Sequence, residues 1–166
     1  MNPEALSVEL RETEGDPHLD DRRRIASLSL TAAACMGLIG LYQLGVIKHI
    51  PEPPLPAMDA DKVDASRQAY EKLQVGDAFL GFVSYGVTML LAAAGGRSRW
   101  REQPWLPIAL AGKAAVDAAQ AAKLTVDQWT KHRAFCFWCL AAAAATFITL
   151  PLTWREARAA LSQKVA

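Results

Sequence analysis

Long apolar stretches alternate along this chain with shorter polar connections. Residues 1–24 are polar, 25–47 are apolar and free of charge, and 48–76 are polar and rich in proline. Apolar character returns over 77–95, 105–125 and 135–153. Crossing the hydrocarbon core takes about 20 residues of helix, so the pattern predicts four spans. The third is interrupted by Lys113, Asp117, Gln120 and Lys123. Such a stripe must face protein or water rather than lipid, and Lys113 and Asp117 stand at the i, i+4 spacing of a helical ion pair. The alternative for this segment is an amphipathic helix, partly submerged.

The pattern implies an all-α protein, an integral membrane four-helix bundle with an amphipathic helix in its outer loop. It divides the chain into a polar N-terminal segment (1–24), a four-span domain (25–153) and a basic tail (154–166) read as a short amphipathic helix. Residues 1–21 are expected to be mobile. In the long connection, Pro51, Pro53, Pro54 and Pro56 predict an extended, polyproline-like run. Residues 59–74 then read as a helix, with Asp59 or Asp61 as N-cap and Val63, Tyr70 and Leu73 as an apolar stripe. That helix either lies on the membrane surface over the bundle or is a solvated connector.

Charge orients the bundle. Arg22, Arg23 and Arg24 precede the first span, Arg97, Arg99 and Arg101 join the second to the third, and Arg155, Arg158 and Lys164 follow the fourth. All three groups fall on one side of a four-span arrangement, and excess Lys and Arg marks the cytoplasmic side. The expected location is a bacterial inner membrane, with both termini cytoplasmic. The first apolar segment is too long for a signal-peptide core, so no cleavable signal is expected. A net charge of +1 argues against a nucleic-acid partner; the bilayer is the expected surroundings.

Chemistry enters with the cysteines. There are three, too few for a disulfide scaffold. Cys136 and Cys139 form a CxxC at the outer end of the fourth segment, on the oxidising side of the membrane. In a helix the i, i+3 spacing puts both sulfurs on one face, able to close as a disulfide or open as a dithiol. The helix N-terminus favours a thiolate, and Lys131, His132 and Arg133 are expected to push the same way. Cys35, mid-span and without a near partner, reads as packing. His49 and His132 read as interface histidines, and no metal site is expected. Asp77 reads as a helix N-cap or as a proton donor, and Trp138 as a pocket wall or an interfacial anchor.

Three stretches resemble the vitamin K epoxide reductase family. Phe135-Cys136-Phe137-Trp138-Cys139 resembles its redox motif. Asp77-Ala78-Phe79-Leu80-Gly81-Phe82-Val83-Ser84-Tyr85 resembles its second helix, which typically opens with Asn and carries Gly four and Tyr eight positions on. Ala65-Ser66-Arg67 resembles a loop segment in which a cysteine precedes Ser-Arg. The resemblance implies a four-helix membrane bundle that holds a quinone, menaquinone or ubiquinone, near the CxxC. Cys136 and Cys139 would be catalytic, with Cys139 toward the quinone and Cys136 toward a thiol partner; Asp77, Phe135 and Trp138 would line the quinone site. Three positions depart from the family pattern. Residues 48–76 contain no cysteine, Asp77 stands for the Asn whose amide meets a quinone carbonyl, and Ala143 stands where a Tyr is frequent. An ionised Asp only accepts hydrogen bonds, so Asp77 would need a proton to serve as donor.

The function implied is a membrane thiol–quinone oxidoreductase. It would exchange electrons between an external, thioredoxin-like periplasmic dithiol and the quinone, through the CxxC disulfide. Without a loop pair, the partner would attack Cys136 directly, taken as the more exposed sulfur. The alternative is a non-catalytic accessory subunit of a larger respiratory or photosynthetic membrane complex. A thiol-based metal transporter ranks last, because further cysteines to hand a metal onward are missing.

Overall fold

The computed structural model describes residues 2–12, 16–66 and 76–165. Its helices are α1 (Pro3–Glu12), α2 (Pro17–Gln43), α3 (Ala60–Asp64), α4 (Asp77–Ala93), α5 (Arg99–Glu102), α6 (Trp105–Asp127) and α7 (Phe137–Val165), with a π-helical turn at Gln128–His132 between the last two. The all-α expectation holds. The polar N-terminus is more ordered than the sequence suggests, because it contains α1 and the first turns of α2. α2 starts early because Asp16 caps it, accepting from the backbone N–H of His18 and Leu19 at 2.9 and 3.3 Å, with Pro17 at the first helical position. It stops at Gln43, short of the expected end at 47. Gly45 turns left-handed at φ +75°, and the Val46 N–H reaches back to Leu41 O at 2.9 Å. The basic tail is no separate helix but the continuation of α7 past Pro151.

α2 packs on α4 and α7, and α6 packs on α7. Small residues permit the close approach: Ala32 and Cys35 of α2 meet Ala142 and Ala145 of α7 in the middle of the bundle. α2 (Pro17–Gln43) and residues Phe137–Gln163 are long and apolar enough to cross a membrane by length and composition. α4 is apolar but has 17 residues, the lower limit for a span. Its exposed side carries Phe79, Phe82, Val83, Val87 and Leu90, a helical stripe suited to lipid. Part of the polar stripe of α6 is satisfied inward: Asp117 meets Lys113 at 2.5 Å and accepts from Ser84 and Thr88 of α4 at 3.2 and 3.3 Å, while Lys123 is exposed and pairs with Asp127 at 2.7 Å.

The basic groups gather at one end, and two of the arginines are structural. Arg22 donates to the carbonyls of Ala92, Ala93, Ala94, Gly95 and Gly96. Arg99, 1% exposed, makes two bonds to Glu156 of α7 at 2.7 and 2.6 Å and reaches Leu91 O, Ala92 O and Ala94 O. Together they satisfy the C-terminal carbonyls of α4 that no helical N–H can reach. The CxxC lies at the other end of the bundle.

Candidate functional site

The far end is closed by the long connection. Its extended run lies across the start of α7: Phe135 N donates to Ala57 O at 2.8 Å and Asp59 N donates to Phe135 O at 2.9 Å. The Trp138 indole N–H donates to Pro51 O at 2.6 Å, and Ala60 N donates to Glu52 Oε1 at 2.7 Å. α3 follows at once, capped by Asp59, whose carboxylate accepts from Lys62 N at 3.0 Å. The Asp59 cap is as expected, but α3 ends at Asp64; Tyr70 and Leu73 of the expected stripe lie outside the described residues. Val63 points into the core beside Cys136 and Ile39.

This strap reverses one expectation. Cys136 is fully buried at 0% exposure, while Cys139 is half-buried. Cys139 N donates to Cys136 Sγ at 3.3 Å, placing Cys136 at the cap of α7, and Cys136 N donates to Gln128 Oε1 at 2.9 Å. Two of the basic residues upstream are engaged elsewhere: Lys131 pairs with Asp127 at 3.0 Å, and the Arg133 guanidinium lies 5.6 Å from the Trp129 ring centre. The charged group that meets the thiols is acidic. Cys139 Sγ donates to Asp64 Oδ1 at 3.7 Å, and a carboxylate oxygen of Asp64 and both sulfurs lie within 4.8 Å of one another. Asp64 is 3% exposed, and its Oδ2 has no partner. Burial, chiefly, pushes its carboxyl up from the ordinary 3.8 to about 7. The Cys136 thiol beside it opposes the rise, Asp77 adds to it, the Cys139 thiol opposes it and Glu52 adds to it.

Cys139 and Asp64 open into a cavity of about 290 Å³ between α2, α4, α6 and α7, lined by Met36, Ile39, Leu80, Tyr85 and Leu124 with Asp77, Gln120 and Gln128. Pockets that hold small molecules run to about 300–1,000 Å³, so this one suits a single ring system. Of the residues expected to line it, Asp77 does so. It is not a side-chain cap: its Oδ1 accepts from Gln43 Nε2 at 2.8 Å, which ties the end of α2 to the start of α4. Phe135 and Trp138 do not line it. Phe135 stacks on Trp129 with centres 5.6 Å apart, and Trp138 anchors the strap.

The hydroxyls of the lining are already committed. Thr146 donates to Ala142 O, so the Tyr85 hydroxyl, 2.9 Å from Thr146 Oγ1, is the donor of that pair. Ser84 donates to Asp117 and Thr125 to Ala121 O. Gln128 accepts the Cys136 N–H with its oxygen, which keeps its NH2 as a donor, and Gln120 supplies a second amide. Asp64 and Gln128 are functional candidates that sequence reasoning missed. Asp64 stands immediately before the loop triplet that resembles the family, which is the one signal pointing to it; Gln128 has none.

The model of the vitamin K epoxide reductase family matches residues 24–154. No curated protein matches the chain.

Proposed function

The chain belongs to the vitamin K epoxide reductase family, membrane-integral and of thiol–quinone oxidoreductase type, and on that premise we propose that it passes electrons between the Cys136–Cys139 pair and a quinone held in the cavity. The observation that carries this reading is the half-buried Cys139 on the cavity wall with Cys136 behind it and an uncharged amide, Gln128, alongside. The lining fits a quinone head: apolar side chains on two sides, and amide N–H groups of Gln120 and Gln128 to meet carbonyl oxygens. Asp77 does not need to carry a proton, because it serves as an acceptor for Gln43. In the forward direction two S–H bonds break and one S–S bond forms, and the quinone gains two electrons and two protons. A thioredoxin-like dithiol on the outer side restores the thiols. The end of the bundle bearing the basic groups faces the cytoplasm and the CxxC end faces out, in a bacterial inner membrane.

The experiment is quinone reduction by the purified protein in detergent, with dithiothreitol as donor and short-chain ubiquinone and menaquinone analogues as acceptors. Turnover that is lost in both Cys136→Ala and Cys139→Ala is the expected result, and the preferred analogue identifies the quinone class. A second reading, an accessory subunit of a larger membrane complex, is favoured by the cysteine-free connection and the covered Cys136. Absence of turnover from a protein whose CxxC is reducible would select it.

A further inference from the structure

We infer that Asp64 is the acid–base group of the CxxC, taking the Cys139 proton as that sulfur becomes a nucleophile and releasing it into the cavity. The destination of the proton rests on the thiol–quinone reading; its removal from Cys139 does not. Four observations carry the inference. Asp64 Oδ1 already accepts from Cys139 Sγ, at 3.7 Å. Its second oxygen, Oδ2, is buried and unpartnered in a residue that lines the cavity, so the carboxyl has an oxygen free to hold the proton received from the thiol. The carboxyl is held in place by short, capped α3, whose last carbonyl, Asp64 O, accepts from Gln43. Finally, the groups facing it from the packed elements are Glu52 of the strap, Asp77 of α4 and the two thiols of α7. None is a cation, so among the described residues Asp64 has no salt bridge that would fix it as a spectator anion.

The balance is simple. The Cys139 S–H bond breaks and an Asp64 O–H bond forms. Cys136 and Cys139 then join as the electron pair passes to the quinone, and the Asp64 proton and the Cys136 proton complete its two O–H bonds. An ordinary exposed carboxylate is a poor acceptor for a thiol proton, since the two groups differ by more than four pKa units. Burial brings the Asp64 carboxyl up to about 7, the range that suits general acid–base catalysis near neutrality.

The test separates this role from the quinone chemistry. Full-length protein in detergent, carrying Cys35→Ala and Cys136→Ala so that Cys139 is the sole thiol, is alkylated with iodoacetamide from pH 5 to 10. The same profile is taken with Asp64→Asn and Asp64→Glu added. An internal acceptor makes the parent rate rise through the Asp64 titration near neutrality. Asp64→Asn then rises only with the thiol's own ionisation, about tenfold slower at pH 7, and Asp64→Glu restores part of the difference. That loss is smaller than the usual ~10²–10⁴ for general acid–base catalysis because iodoacetamide takes no proton in return. An Asn variant that alkylates as fast as the parent, or faster, across pH 6–8 would overturn the inference, because a negative neighbour that only repels a thiolate gives that sign. A cooperative unfolding transition in each protein at pH 5 establishes that both are folded. If the alkylation profile is as expected and quinone reduction fails, the thiol–carboxyl pair stands and the quinone reading falls.

Discussion

Asp64→Asn should change how stability depends on pH, and the structure sets the size of the change. The Asp64 carboxyl rises from 3.8 to about 7 on folding. Between those values the unfolded chain has lost the proton and the folded chain has kept it. Folding therefore binds a proton in this window, and stability falls as pH rises. At 1.36 kcal/mol per unit, a rise of roughly three units amounts to about 4 kcal/mol, complete once the pH has passed the folded value. The side chain is buried, so solvent screening does little to reduce this. Asparagine is close in shape and carries no charge, so the variant escapes the loss. Thermal unfolding in detergent, followed by tryptophan fluorescence from pH 4 to 8.5, should show the variant gaining on wild type by up to about 10 °C as pH rises. Every other carboxylate is common to the two proteins and cancels in the difference. A difference that stays flat with pH, or wild type gaining on the variant, would refute the reasoning, since either means that the carboxylate is compensated by a partner. A loss of this size at neutral pH is a reason to look for chemistry at the position that retains it.

Two further perturbations test the framework around the site. A Cβ at Gly76 would collide with the Gln43 side chain that clamps α2 to α4; Gly76→Ala should cost about 1–3 kcal/mol, and unfolding should show much of it recovered in a Gln43→Ala background. Arg99→Met strands Glu156 as a buried charge and uncaps the end of α4, a loss of about 3–5 kcal/mol. Unfolding of the Arg99→Met, Glu156→Met double variant should recover the ion-pair share but not the cap.

What the sequence made legible is what neighbouring residues decide. The Asp59 cap, the start of α4 at Asp77 and the Lys113–Asp117 pair all follow from spacing within one element, and all are present. The early start of α2 was legible in principle, in Asp16-Pro17, but hydropathy hid it because the first turns are polar. The rest depends on contacts between distant residues. Arg22 and Arg99 look like two more surface cations, yet Arg22 caps carbonyls 70 positions away. Trp138 reads as a pocket wall or an interfacial anchor, yet its N–H is spent on Pro51, 87 positions back. Composition shows Asp64 as one loop acid among several, and only the docking of α3 against α7 makes it the neighbour of both thiols.

The strap also bears on how the two sulfurs divide their work. On the proposed function, a protein partner arriving from water would have to reach Cys136, which lies beneath residues 51–60. Three hydrogen bonds join that strap to the start of α7: Trp138 to Pro51, Phe135 to Ala57 and Asp59 to Phe135. At about 1 kcal/mol net for each, opening them costs about 3 kcal/mol and leaves on the order of 1% of molecules open. Exchange on the aqueous side is thereby slowed about a hundredfold against an exposed thiol, while Cys139 meets the cavity without any opening. On the proposed function, with no cysteine in residues 48–76, strap opening would be the gate for electrons from water. On that reading, exchange with a small molecule in the cavity would be rapid and exchange with a protein slow and gated.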